Sequence, residues 1–319
     1  MNPQPTVAVI IPTYNRAAML HDTLTALAQQ TYPFERLEII VVDDGSVDET
    51  EQVVHEHFPF HLHYLRQQNR GDAAARNIGV RHTEAEMLIF LDDDIVVARE
   101  FLRHIVAGHG GREKRIISGT EYSAPGDQEQ PTFDAGQGVV PLDFVDLCSN
   151  NMGLSRHSYL AIGEMDNLGF SGSSIWCDVD FAFRAHNQHF EFVRSCAARY
   201  WHRDYVKDSL SNETRRIQEA AYRAATLFQK HPGLLPHLPM FEDKTAIAWH
   251  TDSPTLVVRK LIRPVASSQP VLAVLEHIAL ALEPRYASHS FFAPLCRWII
   301  GAHIYHGYRR GQREVRQLA

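Results

Sequence analysis

Cysteine is scarce and scattered in this 319-residue chain. Its four residues, Cys148, Cys177, Cys196 and Cys296, form no C-x-x-C pair. That pattern excludes a zinc ribbon and a disulfide framework, and it suits a reducing compartment. No internal repeat and no low-complexity tract interrupts the sequence, which excludes solenoids and collagen-like architectures. The apolar run nearest the N-terminus spans residues 7–11 with no basic segment before it. It reads as a first buried strand, not as a signal peptide, and the expected location is cytoplasmic.

The composition is that of a globular domain, with 45% hydrophobic and 22% charged residues. The net charge of −7 is unevenly placed. Residues 255–319 carry nine Lys/Arg against three Glu, a net +6, which leaves −13 on the remainder. An acidic body of this kind is a poor nucleic-acid binder, so no nucleic-acid partner is expected. The basic tail alone could face anionic lipid at the inner surface of a membrane.

Through the first half, short apolar runs alternate with amphipathic segments. Residues 7–11, 38–42, 61–65, 87–91 and 115–119 read as strands. Residues 16–30, with Leu20, Leu24 and Leu27 on one face, read as a helix, as do residues 71–82 and 98–107. Ser46 is a candidate cap for a further helix running to residue 57. Near-continuous apolar strands alternating with helices predict an α/β fold built on a mainly parallel sheet covered by helices. Residues 121–137, polar and rich in Gly, Pro and Asp, read as a long loop. Elements resume at residues 151–155, 178–187 and 190–193. Beyond residue 204 the pattern is helical only, with Ile217, Ala220, Ala221, Ala224, Ala225 and Phe228 on one face. A boundary near residue 210 divides a catalytic domain, 1–210, from a helical extension, 211–319.

Ligands of open α/β sheets bind outside the carboxyl ends of the strands. Pro12-Thr13-Tyr14-Asn15-Arg16 follows the first strand, Asp43-Asp44-Gly45-Ser46 the second, and Asp92-Asp93-Asp94 the fourth. Five carboxylates thus gather at one sheet edge with no lysine among them. Such a cluster raises its own pKa values unless a cation or strong donors compensate. A hard divalent ion with oxygen ligands, Mg²⁺ or Mn²⁺, shared with substrate phosphates, is one remedy. Helix caps and solvated loop acids are the plainer alternative.

The segments VAVIIPTYNR, VVDDGSVDET, NRGDAAARNIGV and LIFLDDDI, in this order and spacing, closely resemble family 2 glycosyltransferases of the GT-A fold. Each motif alone is weak, but four in register over residues 7–97 are specific, and a weaker likeness continues to about residue 202. The resemblance implies a GT-A Rossmann-like sheet, a nucleotide-sugar donor, an inverting mechanism and a divalent metal, Mn²⁺ or Mg²⁺. It implies that Pro12, Thr13, Tyr14, Asn15 and Arg16 hold base and ribose. Asp44 matches the acid that recognises the base, usually uracil, and Arg76 lies in a segment near base and phosphates. Asp94 matches the metal ligand, with Asp92 or Asp93 on ribose or a metal-bound water, and His202 matches a late histidine that completes the metal site. Asp178, in Trp176-Cys177-Asp178-Val179-Asp180, aligns with the catalytic base, although Cys177 replaces the customary Glu. Asp180 reads as helix N-terminal charge. The implied acceptor is a cell-envelope glycan or a lipid-linked saccharide.

Residues 290–310 collect Phe291, Phe292, Leu295, Trp298, Ile299, Ile300 and Ile304, with Pro294 and Arg297 interrupting them. The run is shorter than the ~20 apolar residues a span requires. It reads either as a helix lying in a membrane interface or as one docked on the body or on a second subunit of a homodimer. Rival enzyme classes fit less well. A sugar-nucleotide pyrophosphorylase would show a G-x-G-T-R segment where Pro-Thr-Tyr-Asn-Arg stands, and a D-x-D-x-T phosphatase would need a Thr at Val96. A nucleotide-sugar-binding relative without turnover is suggested by Cys177 alone.

Overall fold

The computed structural model describes residues 4–122, 138–169, 175–203, 210–286 and 292–318. Most of the loop expected at 121–137 therefore lies outside the described residues. The chain divides into two compact units, Met1–Tyr205 and Val206–Ala319.

The first unit is a nine-stranded sheet with helices packed on it. In chain order its strands are β1 (Val7–Thr13), β2 (Leu37–Asp43), β3 (His61–Arg66), β4 (Met87–Phe90), β5 (Ile95–Val97), β6 (Arg115–Glu121), β7 (Val139–Pro141), β8 (Met152–Ser155) and β9 (Glu191–His202). They are arranged β3-β2-β1-β4-β8-β6-β9-β5, with β7 also on β9. The helices are α1 (Ala17–Leu27), α2 (Thr50–Val54), α3 (Asp72–Arg81), α4 (Phe101–His109), α5 (Arg156–Ile162) and α6 (Cys177–Asn187).

Strands β3, β2, β1 and β4 are parallel, and their apolar runs are the reason. Val7 to Ile11 and Ile39 to Val42 have no exposed surface, because helices cover both faces. Beyond β4 the sheet turns mixed: β8 is antiparallel to both β4 and β6, and β9 is parallel to β6 but antiparallel to β5 and β7. Leu20, Leu24 and Leu27 seal α1 onto the core with no exposure, each contributing roughly 1.5–3 kcal/mol over an exposed side chain. On the opposite face, α3 lies close over β1 because Gly79 leaves room for Ile10; a Cβ there would stand 2.5 Å from its methyl group.

Three local expectations are corrected. Ser46 caps no helix: its backbone N–H donates to Asp43 and its hydroxyl accepts from the N–H of Asn15, so it is part of a turn. The helix behind it shrinks to Thr50–Val54, beginning after Asp48, whose carboxylate accepts from the Thr50 N–H and hydroxyl. Residues 95–97, to which the sequence assigned no element, form β5, and β9 runs to His202, far past residue 193. The two differences have one cause, since β5 exists only by pairing with the far end of β9.

The second unit is helical: α7 (Leu210–Lys230), α8 (Pro254–Ala266), α9 (Gln269–Tyr286) and α10 (Phe292–Leu318). Helices α7 and α10 run side by side in the same direction. Gly307 lies against the backbone of Gln218, and Gly311 against that of Tyr222, where any Cβ would collide with a carbonyl oxygen. Phe292, Ile299, Ala302, Ile304 and Tyr308 are buried. Of the two readings of residues 290–310, a membrane-lying helix or a docked one, this packing fits the docked one. Its apolar face is spent on α7 and α9, with Leu210, Leu272 and Ala279 completing the cluster. Among the described residues, no single helix is long and apolar enough to cross a membrane.

Candidate functional site

Parallel pairing brings the carboxyl ends of β1, β2 and β4 to one edge. Thr13 stands in register with Asp43, and Ile10 with Phe90. Three residues beyond the second pair, Thr13 and Asp93 meet, and the Thr13 hydroxyl donates to Asp93 Oδ2 at 2.8 Å. A cavity of about 300 Å³ opens on this edge, lined by Pro12, Thr13, Tyr14, Arg16, Asp44, Asn69, Gly71, Asp72, Asp92 and Asp93. The size suits a small ligand.

Each acid has its own surroundings. Asp43 builds the turn: it accepts from the N–H groups of Gly45 and Ser46 and from the Tyr64 hydroxyl at 2.6 Å. Asp44 is buried at the cavity wall, where it accepts from Gln67 Nε2 (2.5 Å) and from the N–H groups of Arg70 and Gly71 (both 2.8 Å). Gly71 can give that bond because its φ of 88° suits glycine and few other residues.

Asp92, Asp93 and Asp94 occupy a tight turn between β4 and β5, so their side chains diverge. Asp92 accepts from Arg76 Nη2 at 2.5 Å, and burial raises its pKa. Asp93 is buried and its pKa is pushed up to about 7, chiefly by burial. The Thr13 bond and the Arg16 charge oppose that rise, while Asp94 and Asp92 add to it. Asp94 Oδ2 pairs with Arg16 Nη1 at 2.7 Å and lies 3.6 Å from His202 Nδ1. Its other oxygen, Oδ1, is buried with no hydrogen-bond partner. Of the two compensations that the sequence left open, a cation or strong donors, the donors are present. Two guanidinium groups and a set of backbone donors stand among them, and the uncompensated atom is a single one.

Arg76 is almost wholly enclosed, held between Asp72 (2.6 Å) and Asp92 (2.5 Å). It does not line the cavity, so its evident work is to fix Asp92. Asn15 also stands back from the cavity lining. With φ 52° it turns the chain and accepts from the Val47 N–H.

Asp178 sits in the first turn of α6, its Oδ1 accepting from the Val179 N–H. Burial raises its pKa to about 6, and the neighbouring Arg76 partly offsets this. Trp176, which precedes the helix, holds φ 73°. A bulky residue in that conformation stores roughly 1–3 kcal/mol of strain, and such strain clusters at functional sites. The Cys177 thiol is buried and pushed far above its ordinary range by burial and by nearby acids, so it is neutral. Asp180 is fully buried and paired with Arg184 at 2.9 Å; Arg184 in turn reaches the carbonyls of Ile162, Gly163 and Glu164 at the end of α5. Asp180 thus lies in the first turn of α6, as helix N-terminal charge, and also ties α6 to the end of α5. Arg156 pairs with Glu84, away from the cavity lining.

The residues that sequence reasoning passed over are Asn69, Gly71 and Asp72 on the cavity wall and Tyr64 and Gln67 behind the acids. The first three lie inside a segment already noted as a motif, and their adjacency to a helix start was the available signal.

A parallel half-sheet carrying acids at its carboxyl edge, continued by a mixed half, is the GT-A form of the nucleotide-sugar-binding α/β fold. Residues 8–135 match the family model described as Glycosyl transferase family 2. The match covers 128 of the 319 residues. Validoxylamine A glucosyltransferase of Streptomyces hygroscopicus subsp. jinggangensis is 41% identical over 122 residues, which are 37% of this chain and 29% of that protein. Glycosyltransferase AglE of Haloferax volcanii is 33% identical over 128 residues, 38% of this chain and 41% of the other. The matched region thus spans well under half of either relative. The mannosyltransferase PcManGT from Pyrobaculum calidifontis, solved with GDP-Man and Mn²⁺, superposes with a TM-score of 0.63 at 20% identity, covering 97% of this chain and 89% of that one. It shares the fold.

Asp94 Oδ1 also tests the fit of a metal ion. It is a hard oxygen donor, buried and unpartnered, with an imidazole beside its carboxylate. Among the described residues no three His, Cys, Asp or Glu side chains converge closely enough to hold an ion by themselves. A cation held at Asp94 would need its remaining oxygen ligands from outside the chain.

Proposed function

We propose that the protein transfers a sugar from a nucleoside-diphosphate sugar to a hydroxyl-bearing acceptor, with inversion at the anomeric carbon. The observation that carries the reading is the cavity at the carboxyl edge of β1, β2 and β4, with Asp44 in its wall and the bare Asp94 oxygen next to Asp93.

In this reading Asp44 accepts an N–H from the base, since its carboxylate keeps one lone pair beyond its three donors. Thr13 and Arg16 hold Asp93 and Asp94 apart and in place. Arg76 does the same for Asp92. Asp94 and His202 would hold the divalent ion, Mn²⁺ or Mg²⁺, which when bound would neutralise charge on the departing diphosphate. Asp178 takes the proton of the acceptor hydroxyl as that oxygen bonds to the anomeric carbon and the bond to the diphosphate oxygen breaks. A base with a pKa of about 6 is ionised at neutral pH yet basic enough to assist. General base help of this kind is worth ~10²–10⁴-fold.

UDP is the favoured donor nucleotide, on the motif likeness at Asp44. The GDP-Man bound by the archaeal fold relative makes GDP-sugars the first alternative. A lipid-linked or cell-envelope saccharide is the favoured acceptor. Thermal melting with UDP-, GDP- and dTDP-sugars, each with Mn²⁺ and with EDTA, tests the reading. One nucleotide class, with Mn²⁺, should raise stability by ~2.7 kcal/mol at about 100 times its dissociation constant. It should also release free nucleotide slowly. No shift with any donor would overturn the proposal.

A further inference from the structure

The apolar surface of the helical unit is on the wrong side. A surface helix normally turns its apolar stripe inward and its charges outward. Helix α8 does the reverse. Lys260 is 8% exposed and pairs with Asp252 at 2.7 Å, and Arg263 is turned in onto the buried Asp243. Meanwhile Val258, Leu261, Ile262 and Val265, spaced as one helical face, are 52–72% exposed. Helix α9 continues the pattern with Val271, Val274, Ile278 and Leu280 exposed, and Trp249 ahead of α8 is 70% exposed. Among the described residues of the first unit, the exposed large apolar ones are three scattered side chains: Tyr14, Val47 and Leu160.

The charges select the occupant. Residues 255–319 carry a net charge of +6; Glu276 is partly buried and held by His303 at 2.6 Å, and Arg259 is exposed, 3.5 Å from Asp243. A two-fold interface between copies would bring two net-cationic segments together. An anionic lipid surface supplies the missing sign, and an exposed Trp beside the stripe suits the headgroup region. The geometry argues against a span. Helices α8 and α9 have 13 and 18 residues and meet at an 81° bend, with Pro264 and Pro270 flanking it. Each is short of the ~20 residues that crossing requires. We infer that α8 and α9 form an interfacial membrane anchor, which seats the apolar face of α8 among the acyl chains of an anionic leaflet.

Flotation of the full chain with vesicles tests this, using phosphatidylcholine alone and phosphatidylcholine with phosphatidylglycerol. The wild type should float with the anionic vesicles and bind the neutral ones more weakly. Leu261→Glu with Ile262→Glu should reduce partitioning at least tenfold. Arg259→Gln should weaken binding to anionic vesicles roughly fivefold, and binding to neutral ones little. All three sites are exposed, and circular dichroism with a melting curve verifies that the variants fold. A conservative Leu261→Met control should float like the wild type. Three results would overturn the inference: no flotation with either vesicle, equal flotation of the double Glu variant, or a concentration-dependent dimer in light scattering that the double Glu variant abolishes while the wild type stays off the vesicles. The assay reads no catalysis, so its outcome is independent of the proposed transfer reaction.

Discussion

Asp178 offers the sharpest test of the proposed chemistry, because one structural number fixes both an activity profile and a stability profile. Its pKa is raised from 3.8 to about 6, mainly by burial. For kcat/KM, which reports the free enzyme, the ionised fraction is about one tenth at pH 5 and about nine tenths at pH 7, a rise of roughly tenfold. An unshifted aspartate would already be about nine tenths ionised at pH 5, and the profile would be nearly flat. The stability effect has the opposite sign. Between pH 3.8 and about 6 the folded state binds more protons than the unfolded one, so stability falls as pH rises through that window. Above it the full penalty, on the order of 3 kcal/mol, remains. Asp178→Asn removes that penalty. The variant should melt higher than the wild type at pH 8, and the difference should close toward pH 4. Turnover should fall by ~10²–10⁴ while donor binding persists. Initial rates of nucleotide release from pH 5 to 8, with melting curves at the same pH values, measure both. A flat rate profile, or turnover by Asp178→Asn within threefold of wild type, would refute the assignment.

Arg16→Ala removes the guanidinium bridging Asp93 and Asp94. The variant should melt lower in EDTA and gain more from Mn²⁺ than the wild type, as thermal shift would report. In the same assay Asp94→Asn should abolish the Mn²⁺ response, whereas Asp93→Asn should keep part of it, since an amide can still bond Thr13. Gly71→Ala forces a Cβ onto a φ of 88°. It should cost about 1–2 kcal/mol in urea denaturation and weaken donor binding several-fold, because the Gly71 N–H holds Asp44. Gly307→Ala drives a methyl group into the Gln218 carbonyl. A loss of about 1–3 kcal/mol is expected, read from melting curves.

The parallel half of the sheet was legible because β1, β2 and β4 carry near-continuous apolar runs and its helices carry clean stripes. The strands β1, β2, β3 and β4 therefore lie within a residue or two of where periodicity put them. The mixed half was not legible. A three-residue strand such as β5 carries no periodicity of its own, and the second half of β9, Cys196-Ala197-Ala198-Arg199-Tyr200, mixes small and polar residues whose pairing depends on distant partners. At the site, the residue types were readable and their pairings were not. Nothing in the spacing of Arg16, Arg76 and the three acids says which guanidinium meets which carboxylate. The tail misled for a related reason. Residues 290–310 look like the most apolar surface in sequence, yet two glycines let α10 press on α7 and bury it. The less conspicuous α8 stayed outside because Asp243 and Asp252 draw its cations inward.

Three consecutive aspartates can do three different things only because a tight turn separates their directions. Asp92 leaves toward Arg76 and is held by a cation that solvent scarcely reaches. Asp93 points back along β1, where both oxygens are taken, one by the Thr13 hydroxyl and one by Arg16. Asp94 shares Arg16 through one oxygen and leaves the other bare. A buried carboxylate oxygen without a partner costs on the order of 1–3 kcal/mol or more for a charged group. A bound cation would remove that cost. The same reasoning explains why the arginine there is not a sufficient counter-ion. Arg16 is half exposed and serves two acids at once, so it can leave Asp94 for a smaller, doubly charged cation, whereas the enclosed Arg76 cannot leave Asp92 without stranding its own charge. The division between a fixed guanidinium and a displaceable one is what makes Asp94, rather than either neighbour, the residue on which metal binding should depend.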